Sequence, residues 1–373
     1  MEISRSLLKN GERAMLALRG LYSRYGYAPF KMSKFEEYDF YARAKNFLRS
    51  DSIITFTGAG GRLMALRPDV TLSIVKNVKD KDASAVKVYY DETVYRSDDS
   101  GELSEILQTG LECIGDIDLY QTGEVILLAV RSLATIGEKY ILDISHMGFL
   151  AALLSESGAD EETQAALLRC VGEKNPHGIA EICRSAAIPD AYAERIARAA
   201  SLYGSIEEVL PLLRQLSDSA AAQAALDELD GLRGILRAAG CEQNVHLDLS
   251  IVHDMDYYNG IIMSGYLAGI PRAVLSGGRY DRLLRKMGKS GGAMGFALYL
   301  DLLERYGEES REYDADILLL YDSTTDPQTL TRTVEMLCEG GRSVRTQTCV
   351  PDGFRYGRLL SVKNGRLETL DEK

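Results

Sequence analysis

No two cysteines stand close enough in the sequence to suggest a zinc site or a disulfide framework. The six (Cys113, Cys170, Cys183, Cys241, Cys338 and Cys349) contain no C-x-x-C pair and read as buried free thiols. His146 and His177 lack metal-ligand spacing, so neither a metal nor a cofactor is expected. No run of about 18 apolar residues occurs, so no membrane span is expected. The opening MEISRSLLKNGERAML turns polar every few positions and lacks the apolar stretch of a signal peptide, which points to a cytoplasmic protein. Positive charge is in deficit: 43 Lys and Arg against 55 Asp and Glu give a formal net charge of −12. Such a surface offers no general attraction to nucleic acid, whose binding rests on Lys and Arg contacts to phosphate. Low-complexity tracts are absent as well, which argues against disorder.

What is present is ample apolar material, 46% of 373 residues. That suffices for one large core with one or two satellites, since single cores stop growing near roughly 250–300 residues. Residues 6–26 place Leu7, Leu8, Met15, Leu16, Leu18, Leu21 and Tyr22 at near-helical spacing and end on a glycine suited to a helix C-terminus. Residues 53–71 read as a hairpin, with Gly58, Gly60 and Gly61 forming its turn. These glycines lack the strand–turn–helix context of a nucleotide loop. Residues 86–96 and 106–116 read as paired strands joined by the acidic loop SDDSGELSE.

From about 121 to 240 alanine and leucine recur at i, i+3, i+4, which predicts a helical insertion. Strand character returns over 245–281, and GAMGFALYLDLLERYG reads as a helix lying on the sheet. A charged linker at 307–315 leads to a small β-α-β unit. Strands grouped apart from helices indicate an α+β fold with an antiparallel sheet.

Four segments in order, LRPDVT (66–71), VYR with QTGLECIG (94–96, 108–115), DMDYYNG (254–260) and GGRYD with AMGFAL (277–281, 293–298), resemble the class II aminoacyl-tRNA synthetase core. The particular resemblance is to histidyl-tRNA synthetases, over roughly residues 5–305. It implies a class II synthetase-like core over 1–120 and 241–308, an antiparallel sheet with flanking helices. A helical insertion over 121–240 and a shortened C-terminal α/β domain over 314–373 complete the layout. It also implies a homodimer, with the first class motif near residues 28–40.

On the family's pattern Asp69 and Thr71 would face a histidine ammonium, with Gln108 as a polar neighbour. Glu112 and Tyr258 would address the imidazole and the pocket wall, supported by Tyr257 and Asp256. Carboxylates satisfy an ammonium, and an acid or phenol orients an imidazole N–H. Each residue also has a plainer reading: Asp69 as a turn or cap residue, Gln108 and Glu112 as solvent-facing strand residues. Tyr257 and Tyr258, on a strand, would point to opposite faces, which favours Tyr258 as the one lining the pocket.

The departures from the synthetase pattern concern ATP. His253 stands where the family has an arginine on the α-phosphate, and Leu302 where the third motif ends in an arginine on the ATP tail. Arg96 of the second motif is kept, but Asp98, Asp99, Glu102 and Glu105 follow it. Phosphate binding needs positive groups or aligned N–H donors. Each lost charge-clamping group is worth about 3 kcal/mol of transition-state stabilisation. This combination resembles the histidyl-tRNA-synthetase-like regulatory subunits of ATP phosphoribosyltransferase. The resemblance implies a non-catalytic chain that assembles with a short-form catalytic subunit, is required for its activity, and takes L-histidine as effector in the first step of histidine biosynthesis. No tRNA partner is expected. The alternative is a histidine–tRNA ligase or another ATP-using paralogue.

Overall fold

The computed structural model of the chain describes residues 8–43, 53–78, 85–97, 101–252, 257–306, 313–363 and 366–372. Its contacts divide into one unit over Lys9–Tyr306 and a second built on Gly307–Lys373.

The first unit opens with α1 (Asn10–Arg24), which buries Leu18, Leu21 and Tyr22 and leaves Leu16 exposed. Just past its end Gly26 takes φ +80°, the left-handed conformation that glycine tolerates after a helix. A short β1 (Ala28–Pro29) follows. A separate three-stranded sheet then pairs β2 (Phe35–Glu37) and β3 (Thr55–Thr57) on either side of β4 (Leu63–Leu66), with α2 (Tyr38–Ala42) beside it. The expected hairpin is therefore β3–β4. Gly60 and Gly61 turn it at φ +75° and +74°, as a connection needing left-handed backbone requires.

After α3 (Thr71–Asn77), β5 (Val86–Ser97) and β6 (Leu103–Gly115) pair antiparallel along their length. Next come α4 (Leu119–Ile136), β7 (Tyr140–His146), α5 (Met147–Ser155), α6 (Glu161–Gly172), α7 (Pro176–Ser185), α8 (Asp190–Ser201), β8 (Tyr203–Ser205), α9 (Ile206–Leu213) and α10 (Ala220–Ala238). The unit closes with β9 (Val245–Asp248), β10 (Ile261–Leu267), β11 (Leu275–Arg279), α11 (Asp281–Lys286), β12 (Gly292–Tyr299) and α12 (Leu300–Tyr306). Nine strands form one sheet in the order β1-β5-β6-β12-β11-β10-β7-β9-β8, antiparallel except at β1/β5 and β7/β9.

Two expectations are corrected here. The stretch 121–240 is not helical throughout, because β7 runs through it as an inner strand paired to both β10 and β9. Its sequence YILDISH carries no 3.6-residue repeat. GAMGFALY is likewise a strand and only LDLLERY is helical. In β12 Met294, Phe296 and Leu298 alternate with Ala293, Gly295 and Ala297, and a period of two belongs to a strand.

The sheet has different packing on its two faces. Leu111, Cys113, Met294 and Phe296 join Leu18, Tyr22, Val125 and Leu128 from α1 and α4 in the main core. Each fully buried side chain of this size contributes about 1.5–3 kcal/mol. On the other face Val88, Tyr90, Ile114 and Ala293 meet Leu72, Ile74 and Val75 of α3 in a smaller core. The candidate site residues lie on this second face.

The C-terminal unit contains β13 (Ala315–Leu320), α13 (Pro327–Cys338), β14 (Val344–Gln347), β15 (Tyr356–Lys363) and β16 (Arg366–Glu372), with strand order β14-β13-β15-β16. The expected β-α-β is present as the parallel pair β13/β14 with α13 between them in sequence. Asp326 caps α13 by accepting the Thr329 N–H at 2.9 Å, with Pro327 in the first turn. A hairpin, β15–β16, extends the sheet beyond what periodicity indicated.

Candidate functional site

The segment LRPDVT is anchored by its arginine. Arg67 is completely buried, donates to Glu92 Oε2 at 2.7 Å and to the Ser33 and Thr93 carbonyls at 2.8 Å each, and receives no solvent. Breaking such a pair on one side leaves a buried charge unpaired, which costs about 3–5 kcal/mol. The anchor delivers Asp69 to the start of α3, where its carboxylate accepts the Leu72 N–H at 2.9 Å. The cap reading of Asp69 is thus correct as far as it goes. Arg96 lies beside it, with Nε donating to the Pro68 carbonyl at 3.0 Å, and its charge acts on Asp69.

Alternation along β6 puts Gln108, Gly110 and Glu112 on the same face. Glu112 is buried and doubly bonded: Thr71 Oγ1 donates to Oε1 at 2.8 Å and the Tyr280 hydroxyl donates to Oε2 at 2.5 Å. Across the ladder Glu112 faces Gly295, whose absent side chain is what admits the carboxyl group. A Cβ built there would lie 1.7 Å from Glu112 Oε2. Gly110 similarly makes room for the Tyr90 hydroxyl. Gln108, 4% exposed, is buried on the same face.

Burial dominates the electrostatics. It pushes the Glu112 carboxyl up to about 8, against the two hydroxyls that pull it down. Burial also raises Asp69, opposed by the α3 N–H groups and by Arg96. Two carboxyls that are expensive to ionise share one pocket, and a cationic ligand relieves that expense. Three aromatic rings complete the wall. Tyr257 and Tyr258 have ring centroids 4.5 Å apart, and Tyr257 lies 5.9 Å from Tyr280. Gly278 clears space for Tyr258, whose Cδ1 would stand 2.8 Å from a Cβ there.

Asp69, Thr71, Gln108, Glu112, Tyr257, Tyr258 and Arg96 are therefore brought to one face of the sheet. The expectation that only Tyr258 lines the pocket is corrected. Residues 257–260 precede β10 and are not a strand, so alternation does not apply, and Tyr257 hydrogen-bonds Thr71. Glu105 also differs: it lies within β6 opposite Tyr95, and alternation turns it to the face away from Arg96 and Glu112. Leu302 packs in α12 against the main core. His253, Asp256, Asp98 and Asp99 lie outside the described residues. Sequence reasoning missed Tyr280, although GGRYD was already in view; the signal was a phenol two residues after a glycine pair. No group of three or more His, Cys, Asp or Glu among the described residues is placed to hold a metal.

Known proteins resemble the chain over most of its length. A family model described as histidyl-tRNA synthetase matches residues 3–303. The ATP phosphoribosyltransferase regulatory subunit of Clostridium kluyveri is 31% identical over 317 residues, covering 82% of this chain and 81% of that one. A crystal structure described as an ATP phosphoribosyltransferase regulatory subunit/histidyl-tRNA synthetase, from Bacillus halodurans, superposes with a TM-score of 0.76 at 26% identity, covering 92% of this chain and 90% of that chain. An ATP phosphoribosyltransferase complex from Thermotoga maritima shares the fold, with a TM-score of 0.62 at 21% identity over 78% of this chain and 97% of that chain.

Proposed function

Since the chain belongs to the histidyl-tRNA-synthetase-like family of ATP phosphoribosyltransferase regulatory subunits, we propose that it binds L-histidine in the Glu112 pocket and regulates a short-form catalytic subunit. The observation that carries this reading is Glu112 itself, a buried carboxyl aligned by Thr71 and Tyr280 beneath a pair of tyrosines. Such a group accepts an imidazole N–H, while the Asp69 carboxylate and the Gln108 amide oxygen suit the ammonium end of the same ligand. A wrong ligand would leave these groups buried and unpaired, so the pocket discriminates strongly.

The chain is a non-catalytic partner in this reading. His253 and Leu302 stand where the synthetase pattern has two arginines, and Arg96 is the motif arginine that is kept. Histidine bound here inhibits the complex by favouring one of two assembly states, which requires different affinities for the two. The expected assembly is a homodimer of this chain within a hetero-oligomer, without tRNA.

The test mixes the full chain with the short-form catalytic subunit, ATP and phosphoribosyl pyrophosphate, and follows phosphoribosyl-ATP with and without histidine. Product formation should require this chain and fall as histidine is added. ATP–pyrophosphate exchange by the chain alone should be absent. Histidine-dependent exchange would instead identify a working ligase.

A further inference from the structure

One carboxylate outside the pocket gathers the groups that hold the pocket's aromatic wall. Glu228 sits on α10, in the helical part of the chain. Its Oε2 lies 3.0 Å from His146 Nε2, and its Oε1 lies 3.8 Å from Arg279 Nη1. His146 caps α5 through Nδ1, which accepts the Phe149 N–H at 3.3 Å. Nδ1 being an acceptor, Nε2 carries the proton and donates it to Glu228. The hydrogen bond from His146 holds Glu228 below the usual carboxylate range, so it is ionised at neutral pH.

Both basic partners are tied to residues 257–260. Arg279 accepts the Asn259 N–H on its carbonyl at 3.1 Å. Its side chain lies against the backbone of Gly260, where a Cβ would come within 3.1 Å of Cδ. Arg279 Nε also donates to Asp281 Oδ2 at 2.9 Å, and Asp281 receives the Asn259 amide at 3.2 Å. On the other side Met147, next to His146, donates its N–H to the Gly260 carbonyl at 2.9 Å. The segment carrying Tyr257 and Tyr258 is thus stitched down at both flanks, and the two flanks meet at Glu228.

We infer that Glu228 is a positioning residue for the amino-acid pocket, fixing the Tyr257–Gly260 segment through Arg279 and His146 from a helix that contributes nothing else to the site. The inference rests on the histidine-binding reading for its ligand, but its geometry does not. A shift of α10 relative to the sheet would move this carboxylate against His146 and Arg279, which gives the helical part of the chain a direct hold on the pocket.

The experiment compares the full-length chain with Glu228→Ala and Glu228→Gln. Histidine affinity is measured by calorimetry, amide hydrogen exchange is followed over residues 257–264, and thermal melting confirms folding. Glu228→Ala should weaken histidine binding about tenfold, which is about 1.4 kcal/mol, and speed exchange over 257–264. Glu228→Gln keeps an acceptor for His146 but loses the charge facing Arg279, and should fall between the two. Wild-type affinity and exchange in both folded variants, with only the melting temperature lowered, would make Glu228 a structural residue and overturn the inference. If the parent chain binds no histidine, the ligand reading fails, and the exchange data alone then decide the positioning role.

Discussion

Glu112 shows how burial sets the protonation of one side chain. Its folded-state value of about 8 stands well above the ordinary 4.5, because burial outweighs the Thr71 and Tyr280 hydroxyls. The sign follows directly. Between those two values the folded chain keeps a proton that the unfolded chain releases, so stability falls as pH rises through the window. Glu112→Gln removes that dependence, and the amide can still meet both hydroxyls. Its melting temperature relative to the parent should therefore climb steadily from pH 5 to pH 8, as calorimetric scans would record. The thiols offer a second test. Cys338 and Cys349 are exposed, correcting the expectation that all six are buried, while Cys113, Cys170, Cys183 and Cys241 are enclosed. Burial pushes Cys113 up to about 11, leaving almost no thiolate at neutral pH. An aromatic disulfide reagent should titrate two thiols rapidly in the native chain and six in denaturant.

Among the elements, β12 best explains why the pocket exists. Over Ala293–Leu298 its small residues face the site and its large ones face the main core, and Tyr299 then returns a large side chain to the site face opposite Gln108. Gly295→Ala should expel the Glu112 carboxyl and break its bonds to Thr71 and Tyr280. A buried carboxyl left without partners costs about 1–3 kcal/mol, or more if charged, so urea denaturation should shift by at least that amount. Histidine binding should be lost even in the folded fraction. From sequence the same strand reads as helix, since Gly-Ala-Met-Gly-Phe-Ala-Leu is apolar throughout and its period of two is legible only by size. β7 was absorbed into a helical region for a related reason. Seven residues between two helices lack the length to announce themselves, and pairing with β10 and β9 decides their conformation.

At the scale of the molecule, each unit has buried residues of its own. The two cores of the first unit draw on residues between Ala14 and Leu303, and the third draws on residues between Ile317 and Val362. A chain cut after Tyr306 should therefore retain a cooperative unfolding transition by circular dichroism. Loss of that transition would show that the C-terminal residues are needed for the larger unit to fold.

The sequence alone determined the α+β class, the hairpin pairs β3–β4 and β5–β6, and the segments that bear the site. Each of these rests on local patterning or on motifs whose order along the chain can be read directly. Only the tertiary structure decided that Tyr257 and Tyr258 enter together, that Tyr280 holds Glu112, and that Glu105 turns away. It also decided that His146, a residue with no ligand spacing, meets Glu228 82 positions away. The physical reason is the same throughout. Burial, cross-strand register and the space left by glycines depend on which distant residues become neighbours, and no window along the chain contains that information.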